Sequence, residues 1–512
     1  MGELAATLAL AQDNAFGQPL ESQLRSCLLA ARLAGEMGLD ADLRATVYWV
    51  ALLRYLGCTG HAHEVAALFG DEIAIRAQTL VHDAANPAEV MRDVVAFATA
   101  SRPAEERDQV IAAIHAGARE WAVNNFASGC EVADMLAQRL GFSRDVRDAL
   151  RFTFERWNGQ GFPDGASGAD IPLAMRIVHL SHDMEAIGRL QSPGAAISAA
   201  GDRRDRTYDP ALADVFAAHG ADWFDELAKT DPWDAVLDLE PAPHWTLAGD
   251  QLENAVTVVA DFIDLKSPYM AGHSRRCAKL CNDAAVGLGF TDDTTTTLRR
   301  AALVHDLGIT AIPNSIWDKP GPLTRAEFDR VELHPMLTEQ MLRRSPAFAE
   351  LNPVAAAHHE RADGSGYHKR VPADAIDLSA GILAAAEVYV AMTTDRADRP
   401  ALPGQSAAAE LRRLAAEGQI DRRATDAVLA AAGHAEHQSP QGRRPKHPGR
   451  LSGREVEVLV LAAKGLMTRE IAQRLFISPK TADRHIQNMY TKIGVSTRGA
   501  AALWAMQHGL VG

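Results

Sequence analysis

Histidine and carboxylate side chains recur along one stretch of the chain in an order that could hold metal ions. The set is His273, His305, Asp306, His334, His358, His359 and Glu387. The adjacent His305 and Asp306 lie in the apolar segment AALVHDLG, where burying both without partners would be costly. Imidazoles and carboxylates suit iron, manganese or zinc, and a carboxylate shared by two ions offsets their repulsion. The pattern indicates a divalent-metal centre.

Four motifs surround these residues: GHSRR, LVHDLG, IPNSIWDKPGPLT followed by ELHP, and HHERADGSGY. Over about residues 261–402 this string resembles the HD-GYP branch of the HD phosphohydrolases. The resemblance implies two divalent ions, iron or manganese, a bridging Asp306, and hydroxide attack on a phosphodiester, often in cyclic di-GMP. His305 and Asp306 would be catalytic. One ion would be held by His273, His305, Asp306 and Glu387, and the other by Asp306, His334, His358 and His359.

Three positions depart from the family pattern. Ile309 follows HDxG where lysine is usual, so a cation that could meet substrate phosphate is missing. His368 replaces the proline of the GYP tripeptide, and Glu387 replaces the late aspartate with a carboxylate one methylene longer. We expect metal binding to survive these changes better than turnover does.

The elements that position these residues are predicted to be helices. Residues 301–307, 328–342 and 382–392 each carry an apolar stripe at helical spacing, and no run alternates long enough to demand a strand. The fold class is therefore all-α.

The chain also contains a divergent internal repeat. Residues 37–59 match 288–310 without a gap, and FERWNGQG at 154–161 matches HERADGSG at 359–366. Two tandem helical units of the HD type are the economical interpretation. The first copy has lost the site, because its aligned positions are Ser22, Arg54, Tyr55, Thr153, Phe154 and His182. An Arg-Tyr pair cannot replace a bridging carboxylate, so we expect this copy to pack or to sense a ligand.

Residues 451–512 predict four short, capped helices. Ser452 and Glu455 form a capping-box pattern, Thr468 is the predicted cap of the second helix, and Ser478 with Pro479 begins the third. Ala482, Ile486, Met489 and Ile493 form a buried stripe on the third helix, opposite Lys480, Arg484, Gln487, Asn488 and Thr491. An apolar back and a polar front are typical of a helix that lies in a major groove.

Over its whole length this stretch resembles a LuxR-type helix-turn-helix domain, through xREVEVL, AxGxxxxEIAxxLFISxKT, His485 and KxGVSxRxxA. The resemblance implies that Lys480, Thr481, His485 and Lys492 hold phosphates and that Asp483, Arg484 and Gln487 face the bases. Asp483 replaces a basic residue common there. Because a carboxylate could accept from a cytosine amino group, the departure affects the target sequence more than DNA binding itself.

Length and charge support this organisation. The 512 residues suit about three domains, and the predicted boundaries are 1–245, 246–434, a linker at 435–449, and 450–512. Residues 441–512 carry a net charge of +8, whereas the chain as a whole carries −14. No apolar run is long enough to span a membrane, no secretory signal is visible, and the five cysteines form no CxxC pair. We expect a cytoplasmic protein with no membrane partner.

Together these features predict a DNA-binding transcriptional regulator, a homodimer on duplex DNA. Its HD domain would bind metal and sense a nucleotide or phosphorylated ligand such as cyclic di-GMP. The alternative is an active metal-dependent phosphodiesterase fused to a DNA-binding domain. Ile309 and His368 favour the sensor, and the intact ligand set favours the enzyme.

Overall fold

The structure, a computed structural model, describes residues 1–83, 86–100, 103–434 and 448–511. Within those ranges it contains helices and no β-strand, which confirms the predicted all-α fold. The chain forms two compact units, Met1–Gln251 and Leu252–Gly512. Most of the linker predicted at 435–449 lies outside the described residues. Within the described part, no helix combines the length and apolar character needed to cross a membrane.

The first unit is built from helices whose alanine- and leucine-rich faces pack together. They are α1 (Gly2–Ala15), α2 (Ser22–Glu36), α3 (Ala41–Leu53), α4 (Ala62–Phe69), α5 (Glu72–Thr79), α6 (Pro87–Ala100), α7 (Ala104–Leu140), α8 (Arg144–Leu150), α9 (Leu173–Leu190), α10 (Pro193–Asp202), α11 (Pro210–Leu227) and α12 (Pro232–Asp238). Helix α2 packs against α3 and α9. Leu24, Leu52 and Ile177, one from each of these helices, are fully buried. Each such side chain stabilises the unit by about 1.5–3 kcal/mol.

The second unit begins with the helices that carry the HD motif. They are α13 (Asp250–Asp264), α14 (His273–Gly287), α15 (Asp292–Val304), α16 (Asn314–Trp317), α17 (Arg325–Val331), α18 (His334–Arg343), α19 (Asn352–Ala355), α20 (Leu378–Met392), α21 (Gly404–Ala416) and α22 (Arg422–Ala431). Helix α14 packs against α15, α20 and α22. Helix α20 is apolar over most of its length, and most of its residues are therefore buried.

Two helices end earlier than the apolar stripes predict. The stripe at 328–342 predicts one helix, but α17 ends at Val331 and α18 begins at His334. Pro335 occupies the second position of α18, where a missing amide hydrogen costs little. Helix α15 ends at Val304, and a short 3-10 helix at Leu307–Ala311 follows. Both breaks place histidines at helix ends, where their side chains can turn inwards.

The carboxy-terminal helices are α23 (Gly453–Ala463), α24 (Thr468–Arg474), α25 (Pro479–Ile493) and α26 (Arg498–Gln507). The capping box of Ser452 and Glu455 and the Ser478 cap are confirmed. The cap predicted at Thr468 is wrong by one residue: Met467 is the N-cap, and its amide donates to the Glu470 carboxylate at 2.7 Å. A glutamate at the third helical position fixes that register.

Candidate metal centre and nucleic-acid interface

Loops and helix ends bring the predicted metal ligands to one place inside the second unit. His273 and His334 begin α14 and α18, His305 and Asp306 follow α15, the histidine pair at 358–359 follows α19, and Glu387 lies within α20. All are buried except His359, which is partly buried. The side chains come from five separate elements, so only the folded chain can assemble them.

Asp306 lies between two groups of these side chains. Its Oδ2 is 3.3 Å from His305 Nε2 and 3.6 Å from His273 Nε2. Its Oδ1 is 3.4 Å from both His334 Nε2 and His358 Nε2. Each carboxylate oxygen therefore faces a different group of imidazoles, which is the arrangement that a bridging ligand requires.

Backbone carbonyls orient three of the imidazoles. The Nδ1 atoms of His305, His334 and His358 donate to the carbonyl three residues earlier, at 2.9, 2.6 and 2.6 Å. Because a carbonyl can only accept, Nδ1 carries a proton in each ring, and Nε2 is the atom that faces the centre. Such outer hydrogen bonds are the usual way in which proteins fix metal-binding histidines.

The first group of ligands surrounds the Glu387 carboxylate. Its Oε2 is 2.6 Å from His273 Nε2 and 3.3 Å from His305 Nε2. The Cys277 thiol, which the sequence analysis did not select, lies 3.5 Å from the same oxygen and 3.6 Å from His273 Nε2. The overlooked signal was spacing, because Cys277 follows His273 by four residues and so shares its face of α14.

The second group consists of His334, His358 and His359, whose ligand atoms lie within 4.8 Å of one another. Tyr367 stacks on His359 with ring centroids 4.6 Å apart, so the Gly-Tyr part of the GYP motif packs against this group. His334 Nε2 is 3.0 Å from His358 Nε2. Two unprotonated nitrogens at that distance repel each other unless positive charge lies between them, and a metal ion would supply that charge.

The electrostatics of the site favour a bound cation. Burial raises the pKa of Asp306, but the positive charge of His305 beside it holds the pKa well below its usual range. Burial lowers the pKa of His358 to about 4, so that imidazole is neutral and free to coordinate. Burial also lowers the pKa of His305, but Asp306 and Glu387 raise it well above its usual value. The two buried carboxylates thus attract a proton or a metal ion, and the donor set fits the metal centre that the sequence predicts.

The predicted DNA-contacting face lies on α25. Ala482 and Met489 are fully buried and Ile486 nearly so, whereas Ile493 is only partly buried. The predicted contact residues are exposed, apart from the partly buried His485: Lys480, Thr481, Asp483, Arg484, Gln487, Asn488 and Lys492. Lys492 differs from the others because its Nζ is 2.7 Å from the buried Glu455 carboxylate. This lysine ties α25 to the start of α23.

Comparison with known proteins identifies both parts of the second unit. A model of the HD domain matches residues 257–424, and a model of the luxR family of bacterial regulatory proteins matches residues 450–505. A Vibrio cholerae protein named 3'3'-cGAMP-specific phosphodiesterase 3 is 31% identical over 406 residues, which cover 79% of this chain and 88% of the relative. The chain belongs to the HD-GYP family. Because the match is longer than either compact unit, both units take part in it.

Two further comparisons show how far the similarity extends. The crystal structure of a cyclic GMP-AMP specific phosphodiesterase of V. cholerae (V-cGAP3) superposes with a TM-score of 0.58 at 28% identity, covering 84% of this chain and 97% of that one. A cyclic di-GMP phosphodiesterase of Thermotoga maritima is 33% identical over 170 residues, 32% of this chain and 46% of the relative. The recognition made from the sequence motifs is confirmed.

The departures from the HD-GYP pattern have visible consequences. Ile309 is fully buried, so its side chain packs into the core and offers nothing to a phosphate. His368 lies 3.0 Å from the Glu339 carboxylate of α18, and Lys369 contacts the same carboxylate at 2.6 Å. The histidine in place of proline therefore anchors the loop to α18.

In the first unit, the residues aligned with the metal ligands also lie together. Tyr55 Oη is 3.3 Å from His182 Nε2, the Arg54 guanidinium lies over the Tyr55 ring at 5.0 Å, and Thr153 Oγ1 donates to the Arg54 carbonyl at 3.3 Å. Burial raises the pKa of Asp183, but the hydrogen bond with His182 and the charge of the buried Arg54 bring it below its usual value. Among the described residues, the groups with metal-ligand geometry all lie in the second unit.

Proposed function

We propose that the chain is a metal-dependent cyclic-dinucleotide phosphodiesterase joined to a LuxR-type DNA-binding domain, with 3'3'-cGAMP as its first candidate substrate. The observation that carries this proposal is the position of Asp306 between two groups of buried imidazoles. The substrate class is supported by the relative from V. cholerae, because its similarity extends over both units.

The chain's own residues would hold two ions and position the substrate around them. His273, His305, Asp306 and Glu387 would hold one ion, and Asp306, His334, His358 and His359 the other. Bound there, divalent ions would lower the pKa of a water molecule and neutralise charge on the phosphodiester. The backbone carbonyls behind His305, His334 and His358 keep the imidazoles in place, so the site needs little reorganisation before reaction.

A hydrolysis assay on the full chain tests the proposal. We expect the metal-loaded protein to convert 3'3'-cGAMP to a linear product, and Asp306→Ala to abolish conversion because both groups lose their shared ligand. Arg54→Ala, at the position in the first unit that aligns with His305, is the control and should retain activity. Equal conversion by the Asp306→Ala protein, or none by the wild type, would contradict the proposal.

A second candidate function is a nucleotide-responsive regulator with little turnover. Buried Ile309 favours it, because the site lacks a charged phosphate contact there. Losing one such contact typically slows the reaction roughly 100- to 1000-fold. This function predicts saturable cyclic-dinucleotide binding by calorimetry with no product in the same sample. Ile309→Lys would place the lysine stem in the core, so partial rescue requires its amine to reach the metal centre.

For the carboxy-terminal domain we propose binding to duplex DNA as a homodimer, with transcription regulation as its role. The exposed polar face of α25 and its buried opposite stripe support this proposal. Lys480, Thr481 and His485 would contact phosphates, while Asp483, Arg484, Gln487 and Asn488 would face the bases. Lys492 would contact phosphate only by leaving Glu455 or by sharing its charge between both partners.

A further inference from the structure

Beside the four ligands of the first ion, His273, His305, Asp306 and Glu387, lies a further donor atom that the family pattern does not supply. Cys277 lies one helical turn after His273 on α14 and is fully buried. Its Sγ, together with one ligand atom each from His273, His305 and Glu387, falls within a set whose members all lie within 4.8 Å of one another. Two nitrogens, one carboxylate oxygen and one sulfur thus converge from two helices, α14 and α20, and from the end of α15.

Three of the distances in this group match those between ligand atoms at tetrahedral angles around a single ion. Ligand atoms bonded at about 2.0–2.3 Å to such an ion lie about 3.3–3.8 Å apart. Cys277 Sγ is 3.5 Å from Glu387 Oε2 and 3.6 Å from His273 Nε2, and His305 Nε2 is 3.3 Å from Glu387 Oε2. The contact between His273 and Glu387, at 2.6 Å, is a hydrogen bond, so Glu387 must draw back by about 1 Å to share an ion.

We propose that Cys277 is a metal ligand, binding as a thiolate to the ion held by His273, His305, Asp306 and Glu387. This inference rests on the metal centre proposed above. On coordination the thiol releases its proton to solvent. Thiolate is a soft ligand that favours zinc, cobalt(II) or iron(II) over manganese. The second group offers imidazoles and the Asp306 carboxylate without sulfur, so the two positions differ in metal preference and the first is the more thiophilic.

Cobalt(II) substitution tests this assignment without relying on activity. The full chain is stripped with a chelator and reloaded with cobalt(II), and its absorption spectrum is recorded. A sulfur-bound cobalt ion gives an intense thiolate charge-transfer band in the near ultraviolet, in addition to the weaker visible d–d bands that report cobalt bound by any donors. We expect the wild type to show both, and Cys277→Ser to keep visible bands while losing the charge-transfer band.

Cys281→Ser is the matched control. Cys281 lies one turn further along α14 and is also fully buried, but it belongs to none of the groups with metal-ligand geometry. This variant should keep the charge-transfer band. The ligand assignment is overturned if the wild type binds cobalt without that band, if Cys277→Ser retains it, or if both variants lose it equally. Failure of the wild type to bind cobalt at all would instead contradict the proposed metal centre.

If the variants do not fold, a measurement on the unmodified protein still tests whether Cys277 is a metal ligand. X-ray absorption of the zinc-loaded wild type should show one sulfur scatterer at about 2.3 Å for one of its ions. A spectrum fitted by nitrogen and oxygen alone, with zinc bound in stoichiometric amount, would show that Cys277 is only a buried neighbour.

Discussion

At the scale of single residues, both halves of the metal centre depend on Asp306. Its two oxygens face different imidazole groups, whereas Glu387 contacts only the first group. Removing the Asp306 charge should therefore weaken both ion positions, and removing the Glu387 charge should weaken one. Comparing the metal content of variants at these two carboxylates therefore distinguishes two ion positions that share a ligand from two independent positions.

We expect Asp306→Asn to lose most of the bound metal at both positions and Glu387→Gln to retain about half of the wild-type content. Elemental analysis of the purified full chain, after removal of loosely held ions, provides the measurement. Tyr55→Phe serves as the control, since Tyr55 is the residue that aligns with Asp306 in the first unit. Its metal content should equal that of the wild type. Equal losses in both carboxylate variants would argue against a bridging Asp306.

The sequence could predict the seven metal-binding candidates because adjacent polar pairs in apolar segments are conspicuous and because their order matches a family. It did not single out Cys277, since a cysteine in a helix resembles any small buried apolar residue, and its four-residue spacing from His273 does not by itself mark it as a ligand. The difference arises in three dimensions: helix α20 brings Glu387 within 3.5 Å of that thiol from a position 110 residues away along the chain.

At the scale of elements, the two copies of the repeat share the parts that shape the fold. A Cβ at Gly308 would lie 1.9 Å from the His334 carbonyl oxygen, and one at the aligned Gly57 would lie 1.8 Å from the Gly129 carbonyl oxygen. Glu360 accepts backbone amides of the loop at 369–371, as the aligned Glu155 does for the amides of residues 164 and 165. The first unit therefore kept the scaffold while the ligand positions changed.

This packing predicts that Gly308→Ala destabilises the second unit. The added methyl group would collide with backbone, which cannot swing aside as a side chain can, so we expect a loss of about 1–3 kcal/mol and a lower melting temperature. Gly287→Ala, at the end of α14, is the matched control because a Cβ there meets nothing within 4 Å. It should leave the melting temperature unchanged or raise it. Calorimetric scans of the full chain would compare them, and equal melting temperatures would contradict this account.

Local signals predicted the helix starts better than the helix ends. Caps at Ser452 and Ser478 follow from side chains within three residues of the helix start. The break before His334 is marked in the sequence by Pro335, which the apolar stripe at 328–342 passes over. Periodicity alone, without the proline signal, extends the helix too far.

At the scale of the whole molecule, charge is unevenly distributed along the chain. Residues 441–512 carry +8 and the remaining residues carry −22. Phosphate is thus attracted to one end of the chain and repelled by the rest. In the proposed DNA complex, the acidic part would reduce non-specific binding, and the exposed face of α25 would supply the specific contacts.

This uneven charge distribution predicts that DNA affinity depends on salt. A binding site is first selected from a pool of random duplexes, and the affinity of the full chain is then measured across a salt series. Affinity should fall steeply with salt because phosphate contacts release counterions. Lys480→Ala should weaken binding to all duplexes and reduce the slope of log K against log salt by about 1. Arg484→Ala should cost about 1–3 kcal/mol on the selected duplex alone, since it removes a base contact.

Lys279→Ala provides the control for a simple loss of positive charge. Lys279 is exposed on α14 and pairs with Asp283, so its removal changes the net charge as Lys480→Ala does without touching α25. We expect its affinity and salt slope to match the wild type. If it weakens binding as much as Lys480→Ala, net charge governs DNA affinity and α25 is not the contact surface. If instead Arg484→Ala weakens random and selected duplexes equally, Arg484 contacts phosphate, and another side chain of α25 determines the target sequence.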